Sequence, residues 1–180
     1  VEVAADYADT YMLWGEPVAD FARHTQQVRQ AARARGRDPR FSVSFRPIVA
    51  DTEQQAWARA HDILERMRDT RRRLGLPVSH HAPANAGSQR LLAAAKRGEI
   101  LDERLWMGIA QLTGAQWNST ALVGTPEQVA KALGKYYQQG ASAFLLRGFD
   151  PLEDTIHYGN GLIPALREHL SSLTPFAEQH

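Results

Sequence analysis

The stretch RFSVSFRPIVADT, Arg40 to Thr52, decides the fold of this chain. Phe41, Val43 and Phe45 alternate with Ser42, Ser44 and Arg46, the two-residue period of a strand with unlike faces. One face is apolar, and the other carries two hydroxyls and a guanidinium. The strand stops at Pro47 and runs through Ile48 and Val49 to a helix start at Thr52, where Gln55 three residues on completes a capping box. In a barrel of parallel strands such a polar row points into the lumen near the catalytic mouth, where a fixed positive charge receives an anionic group. On a solvent-facing sheet it would carry no function, so the type of sheet is the question.

Outward from this stretch, helices and strands alternate. Upstream, Ala4 to Ala8 reads as a helix end and Asp9 to Trp14 (DTYMLW) as a short strand that stops at Gly15. Pro17 opens a helix to about Arg35, with Phe21, Thr25, Val28 and Ala32 at helical spacing. Downstream, the helix after Thr52 has Ala56, Trp57, Ala60, Ile63, Leu64 and Met67 on its apolar face. It ends in Arg71, Arg72 and Arg73, either a phosphate grip or a solvated end that complements the helix dipole. From Gly75 to Thr120 the pattern loosens into a loop, a helix at Gln89 to Lys96 and a second helix from Asp102 to about Leu112, an excursion of lid size. Thr125, Pro126 and Gln128 mark the clearest helix start, with Val129, Leu133 and Tyr136 facing inward. Ala143 to Leu146 (AFLL) is wholly apolar, the pattern of a parallel strand covered on both faces. It leads into Arg147, Gly148 and Phe149 and then a last helix carrying Leu162, Ile163 and Leu166.

Composition narrows the classes. The chain has 180 residues, 43% hydrophobic and 23% charged, which suits one ordinary globular core. Its formal charge of +1 offers no general attraction to nucleic acid or to a membrane surface. With no cysteine, disulfides, thiolate metal sites and cysteine nucleophiles are excluded. No apolar run reaches the ~18 residues of a membrane span, and a cytoplasmic location is expected. The strand–helix units argue for α/β with a parallel sheet, and the lack of a Gly-rich strand-to-helix turn removes the usual dinucleotide fingerprint.

DYADTYMLWGEP, RFSVSFRPIVADT, STALVGTPEQVAKAL and SAFLLRGFDPLEDTIHYG, in this order and separation, resemble the C-terminal half of the bacterial-luciferase-like flavin monooxygenases, nearest to the alkanesulfonate monooxygenase branch. The resemblance runs from Tyr7 to about Leu170. It implies that residues 1–180 are the C-terminal part of a (β/α)8 TIM barrel, with a lid-like insertion at about 75–120 before the last strand and the N-terminal half absent. It also implies reduced FMN supplied by an NAD(P)H:FMN reductase, O2 as co-substrate, and oxidative cleavage of an alkanesulfonate to an aldehyde and sulfite. The flavin phosphate turn of the family lies upstream of Val1, so the chain is expected to be inactive by itself and to be completed by a partner chain or by a second copy.

Carried over position by position, Trp14 matches a pocket aromatic of that branch. The branch has Arg and His two residues apart on the lumen side of the polar strand, and Ser44 and Arg46 stand at those places here. The charge is displaced by one inward position and the imidazole is gone, which removes the histidine's proton-transfer role and leaves anion binding, because Arg stays protonated and offers paired donors. An arginine of the branch's lid is replaced by the run Thr113 to Ser119, in which Trp117 and Asn118 are placed to close over the substrate. Phe149 stands where the branch has a tyrosine. Arg46 and Phe149 are thus the candidate catalytic positions, and Trp14, Ser44, Trp117, Asn118 and Arg147 the candidate binding positions. No metal is implied.

Each has a structural alternative. Arg46 could pair with an interior carboxylate, Trp14 could be packing, and Arg147 could cap a strand end. The adjacent His80 and His81 read as loop residues, and His24, His61 and His157 as surface or helix-end residues. Two other functions stay open: a deazaflavin (coenzyme F420) oxidoreductase of the same superfamily, and a non-catalytic half-barrel acting as an assembly module.

Overall fold

Two capping boxes and one strand interruption organise the chain. The computed structural model describes residues 1–76, 83–116 and 119–173. In chain order the elements are α1 (Glu2–Tyr7), β1 (Thr10–Trp14), α2 (Val18–Arg33), β2 (Arg40–Phe45), β3 (Ile48–Val49), α3 (Glu53–Arg73), α4 (Ala86–Ala95) and β4 (Ile100–Leu101). There follow β5 (Leu105–Trp106), α5 (Gly108–Thr113), β6 (Ala121–Gly124), α6 (Pro126–Gln138), β7 (Ala143–Leu146), α7 (Pro151–His157), a π-helical turn (Tyr158–Leu162) and α8 (Ile163–Ser171). Thr52 and Thr125 each accept the backbone N–H of a glutamine three residues on, and each glutamine side chain reciprocates, so α3 and α6 start where the sequence places them.

β2 lies between β1 and β7 in a parallel sheet. Beyond Pro47, which has no N–H to give, β3 continues the same strand with a new parallel partner, β6. The exchange happens at Arg46, whose N–H donates to Thr120 O at 3.1 Å. β6 also pairs with β5 of an antiparallel β4–β5 hairpin. The result is α/β, an open part of a parallel barrel.

Register fixes the two faces of the β1–β2–β7 sheet. Leu13, Val43 and Phe144 lie side by side, and with Phe41, Phe45 and Leu146 they form the face covered by helices. Phe21 of α2 and Val129, Leu133 and Tyr136 of α6 belong to that core, with Tyr136 stacked edge-on to Phe45 at 4.9 Å and to Phe21 at 5.5 Å. The opposite face carries Trp14, Ser44 and Leu145 in one row and Met12, Ser42 and Ala143 in the next. The serines are buried, whereas Met12 is 65% and Leu145 44% exposed. A second core joins Ala56, Ala60, Ile63 and Leu64 of α3 to Ile48, Trp106, Ile109 and Val123.

Three readings of the sequence are corrected. AFLL is not covered on both faces: β7 is an edge strand, and Ala143 and Leu145 are exposed. Residues 102–112 are not one helix. Leu105 and Trp106 pair with Leu122 and Ala121, so a tertiary strand pairing overrides the helical pattern and α5 begins only at Gly108. The last helix is interrupted by the π-helical turn, where Gly159 and Gly161 flank Asn160. No described helix is long and apolar enough to cross a membrane.

Candidate functional site

Arg46 sits where the strand changes partner, so its backbone is fixed by pairing while its side chain leaves the sheet. The guanidinium is half-buried, donates from Nη1 to Gly148 O at 2.8 Å, and lies 5.1 Å from the centre of the Phe149 ring. A cation over an aromatic face gains ~0.5–2 kcal/mol as it is desolvated. Burial, with the nearby charge of Arg147 adding to it, pushes the Arg46 guanidinium below its usual range, but it remains a permanent cation.

The turn that meets Arg46 is itself tied down. Asp150 caps α7 by accepting from Leu152 and Glu153 N–H. Asp154 is 1% exposed; one carboxylate oxygen accepts Asp150 N–H at 2.9 Å and the other Arg59 Nη2 at 2.5 Å. Gly148 packs so closely here that a Cβ would stand 2.3 Å from Asp154 Cβ. Tyr158, at the start of the π-helical turn, donates its hydroxyl to Pro47 O at 2.5 Å. Burial pushes its phenol well up, which keeps that donor protonated.

In front of Arg46 opens a cavity of about 640 Å³, within the ~300–1,000 Å³ usual for small-ligand sites. Arg59, Ile63, Arg66, Met67, Thr70 and Arg71 of α3 form one wall, Ile109 and Thr113 of α5 another, and Phe149 and Ser119 part of the remainder. Ser119 is 2% exposed, and its Oγ has no hydrogen-bond partner. Asp150 and Glu153 supply acids on the α7 side.

The structure therefore brings Arg46 and Phe149 together at one cavity. Trp14 packs its ring against α4, where a Cβ on Gly87 would come within 3.2 Å of it, and it does not line this cavity among the described residues. Ser44 is buried in the row between Trp14 and Leu145, and Arg147 is exposed at the end of β7. Trp117, Asn118, His80 and His81 lie outside the described residues. His24 departs from the surface reading: it is partly buried, with Nε2 2.9 Å from the Tyr11 hydroxyl, and burial lowers its pKa. The basic run at the end of α3 is divided. Arg72 pairs with Asp69 at 2.9 Å and Arg73 reaches the Thr70 hydroxyl, while Arg71 lines the cavity. Ser119, Asp154 and Tyr158 were not singled out by sequence reasoning, but the Arg71 placement had a signal: 59, 63, 66, 67, 70 and 71 fall on one helical stripe.

A separate cleft of about 390 Å³ lies beside Glu16, which is 1% exposed. Its Oε1 accepts from Arg90 Nε at 2.7 Å, its Oε2 has no partner, and burial raises its pKa. Among the described residues no group of three or more His, Asp or Glu is arranged to hold a metal ion.

A family model described as luciferase-like monooxygenase matches residues 1–143. Among solved structures, the chain is similar to a riboflavin lyase crystallised with modified FMN and riboflavin, at 20% identity and TM-score 0.67, covering 97% of this chain and 42% of that one. It is similar to the EDTA monooxygenase of Chelativorans sp. BNC1 at 19% identity and TM-score 0.61, covering 93% and 44%. It is also similar to the coenzyme F420-dependent tetrahydromethanopterin reductase of Methanopyrus kandleri at 12% identity and TM-score 0.53, covering 92% and 47%. The chain thus spans less than half the length of each of these proteins.

Proposed function

The chain belongs to the luciferase-like monooxygenase family, and from that premise we propose that it forms the C-terminal part of an FMN- and O2-dependent monooxygenase acting on a small organic anion, most specifically an alkanesulfonate cleaved to aldehyde and sulfite. One observation carries the choice of an anion: the Arg46 guanidinium, a permanent cation, is held at the cavity by Gly148 O and the Phe149 ring.

The residues fit a flavin. The face of the β1–β2–β7 sheet opposite the helix-covered one is open and apolar at Met12 and Leu145, with the buried Ser44 on the strand between them and Trp14 at the β1 edge, a surface suited to a flat heteroaromatic ring. Reduced FMN bound there, delivered by an NAD(P)H:FMN reductase, supplies the two electrons and the reactivity toward O2. Arg46 receives the anionic group and orients the carbon that bears it. Phe149 shields that ion pair from water and, lacking a hydroxyl, donates no proton. The buried Ser119 hydroxyl offers the site a further hydrogen bond. The remaining strands that cover Met12 and Leu145 come from further chain or from a second copy.

Full-length protein, reduced FMN, O2 and an alkanesulfonate should release sulfite. Arg46→Gln removes a charge-assisted contact of ~1.5–3 kcal/mol, so kcat/KM should fall about 10- to 100-fold. An unchanged kcat/KM sinks the assignment of Arg46. A second reading, hydride transfer with a deazaflavin, is favoured by the likeness to the reductase. Turnover with reduced coenzyme F420 in the absence of O2 would select it.

A further inference from the structure

Resting on the reading that Arg46 receives the substrate's anion, we propose that Ser119 is the second group that holds it, its hydroxyl donating to another oxygen of the same anionic head. Ser119 stands one residue before Thr120, whose carbonyl accepts the Arg46 N–H at 3.1 Å, so the backbones that carry the hydroxyl and the guanidinium are tied together. Both Arg46 and Ser119 line the cavity. The next hydroxyl along the chain is turned elsewhere: a Cβ on Gly15 would stand 2.7 Å from Thr120 Oγ1 and 2.1 Å from the Phe45 ring, and Thr120 does not line the cavity among the described residues.

What marks Ser119 is the state of its hydroxyl. The residue is buried, and Oγ has no hydrogen-bond partner. Buried polar groups are paired in the great majority of cases, and one left unpaired lowers stability, so this one calls for a reason. The two threonines of the cavity are engaged within their own helices. Thr113 Oγ1 donates to Ile109 O at 2.8 Å, and Thr70 Oγ1 accepts from Arg73 at 3.4 Å. Asp150 and Glu153 bring carboxylates to the same cavity, yet neither accepts from Ser119. The fold thus keeps a donor at a fixed place, apart from its own acceptors. An oxygen of a bound ligand is the group that would use it. A guanidinium attracts an anion by its charge, whereas an O–H asks for a lone pair in one direction. A sulfonate head has three equivalent oxygens, so one can lie toward Arg46 while another accepts from Ser119.

The test is isothermal titration of full-length protein with octanesulfonate, paired with urea unfolding of the same samples. Ser119→Ala should weaken octanesulfonate about tenfold, the loss of one hydrogen bond to a charged group. Its urea midpoint should stay unchanged or rise, because the variant removes an unpaired buried group. Ser119→Cys, close in volume but a weak donor, should lose affinity to a similar extent. Unchanged affinity in Ser119→Ala, wild-type affinity in Ser119→Cys, or an affinity loss accompanied by a lower urea midpoint overturns the proposal. Arg46→Gln is the separating control. If it weakens octanesulfonate and Ser119→Ala does not, this inference fails while the reading of Arg46 stands. If it leaves binding intact, or if the wild type does not bind octanesulfonate, the reading of Arg46 fails first and this inference with it.

Discussion

Replacing Arg59 by methionine isolates what holds the turn against Arg46. Asp154 is 1% exposed and its carboxylate has two partners, Arg59 Nη2 at 2.5 Å and Asp150 N–H at 2.9 Å. Without Arg59 the backbone donor remains, but a buried charge loses its counter-ion. Removing one member of a buried pair costs ~3–5 kcal/mol. The Arg59 side chain is 26% exposed, so water already screens part of the interaction, and we set the cost at about 2–3 kcal/mol. Asp154→Asn removes the charge yet keeps an acceptor for Asp150 N–H, at a cost of about 1–1.5 kcal/mol. In the double variant no charge is left to strand, so its cost should exceed that of Asp154→Asn by only about 0.5–1 kcal/mol, a coupling of about 1.5–2 kcal/mol. Urea unfolding followed by tryptophan fluorescence, compared at constant m, measures all three. Additive single costs, or a loss under about 1 kcal/mol for Arg59→Met, would refute the reasoning.

Gly148→Ala drives a methyl into Asp154 and should cost about 1–3 kcal/mol of stability together with affinity for the anion; wild-type anion binding by this variant counts against the close packing. Hydrogen bonds from Arg104, chiefly, and from Gln128 push Glu53 down to about 2. Ionised Glu53 therefore supports the native state above its ordinary 4.5, and this support is lost as pH falls from there toward 2. In Arg104→Gln the Glu53 carboxyl should titrate nearer 4.5 by NMR, and an unmoved midpoint would discount the Arg104 contact. For Glu16 the sign is opposite: burial raises its pKa, so ionised Glu16 opposes folding, and stability is lost as pH rises through the raised value. Glu16→Gln keeps an acceptor for Arg90 and should gain stability relative to wild type between pH 4.5 and neutrality, and parallel stability–pH curves would argue against it.

Local chemistry was legible where it is self-sufficient. Thr52 with Gln55, and Thr125 with Gln128, each close a ring of hydrogen bonds inside four residues, and both helices begin there. The alternation from Phe41 to Arg46 assigned the strand's two faces because the pleat alone dictates them. The β4–β5 hairpin was hidden because its strands are two residues each and its turn uses Asp102 and Glu103 at φ 48° and 69°, a conformation that glycine usually announces. AFLL misled because apolarity records what a strand is built to meet, while exposure depends on what lies over it. At the site, Arg46 was singled out by the strand alternation and Phe149 by the family resemblance. The support from Asp154 and Tyr158 could not be, since nothing local marks an aspartate that will be buried by an arginine 95 positions away.

The Gly148 carbonyl and the Phe149 ring that hold the guanidinium, and the Tyr158 hydroxyl that holds the neighbouring Pro47 carbonyl, all come more than a hundred residues after Arg46. During synthesis the cation is made before its berth. Until α7 and the π-helical turn have left the ribosome, Arg46 stands at the break of an unfinished strand with only its own neighbours to orient it. The proposed anion site therefore forms only after α7 is made, and a nascent chain arrested before Gly148 would have the residue without its two partners.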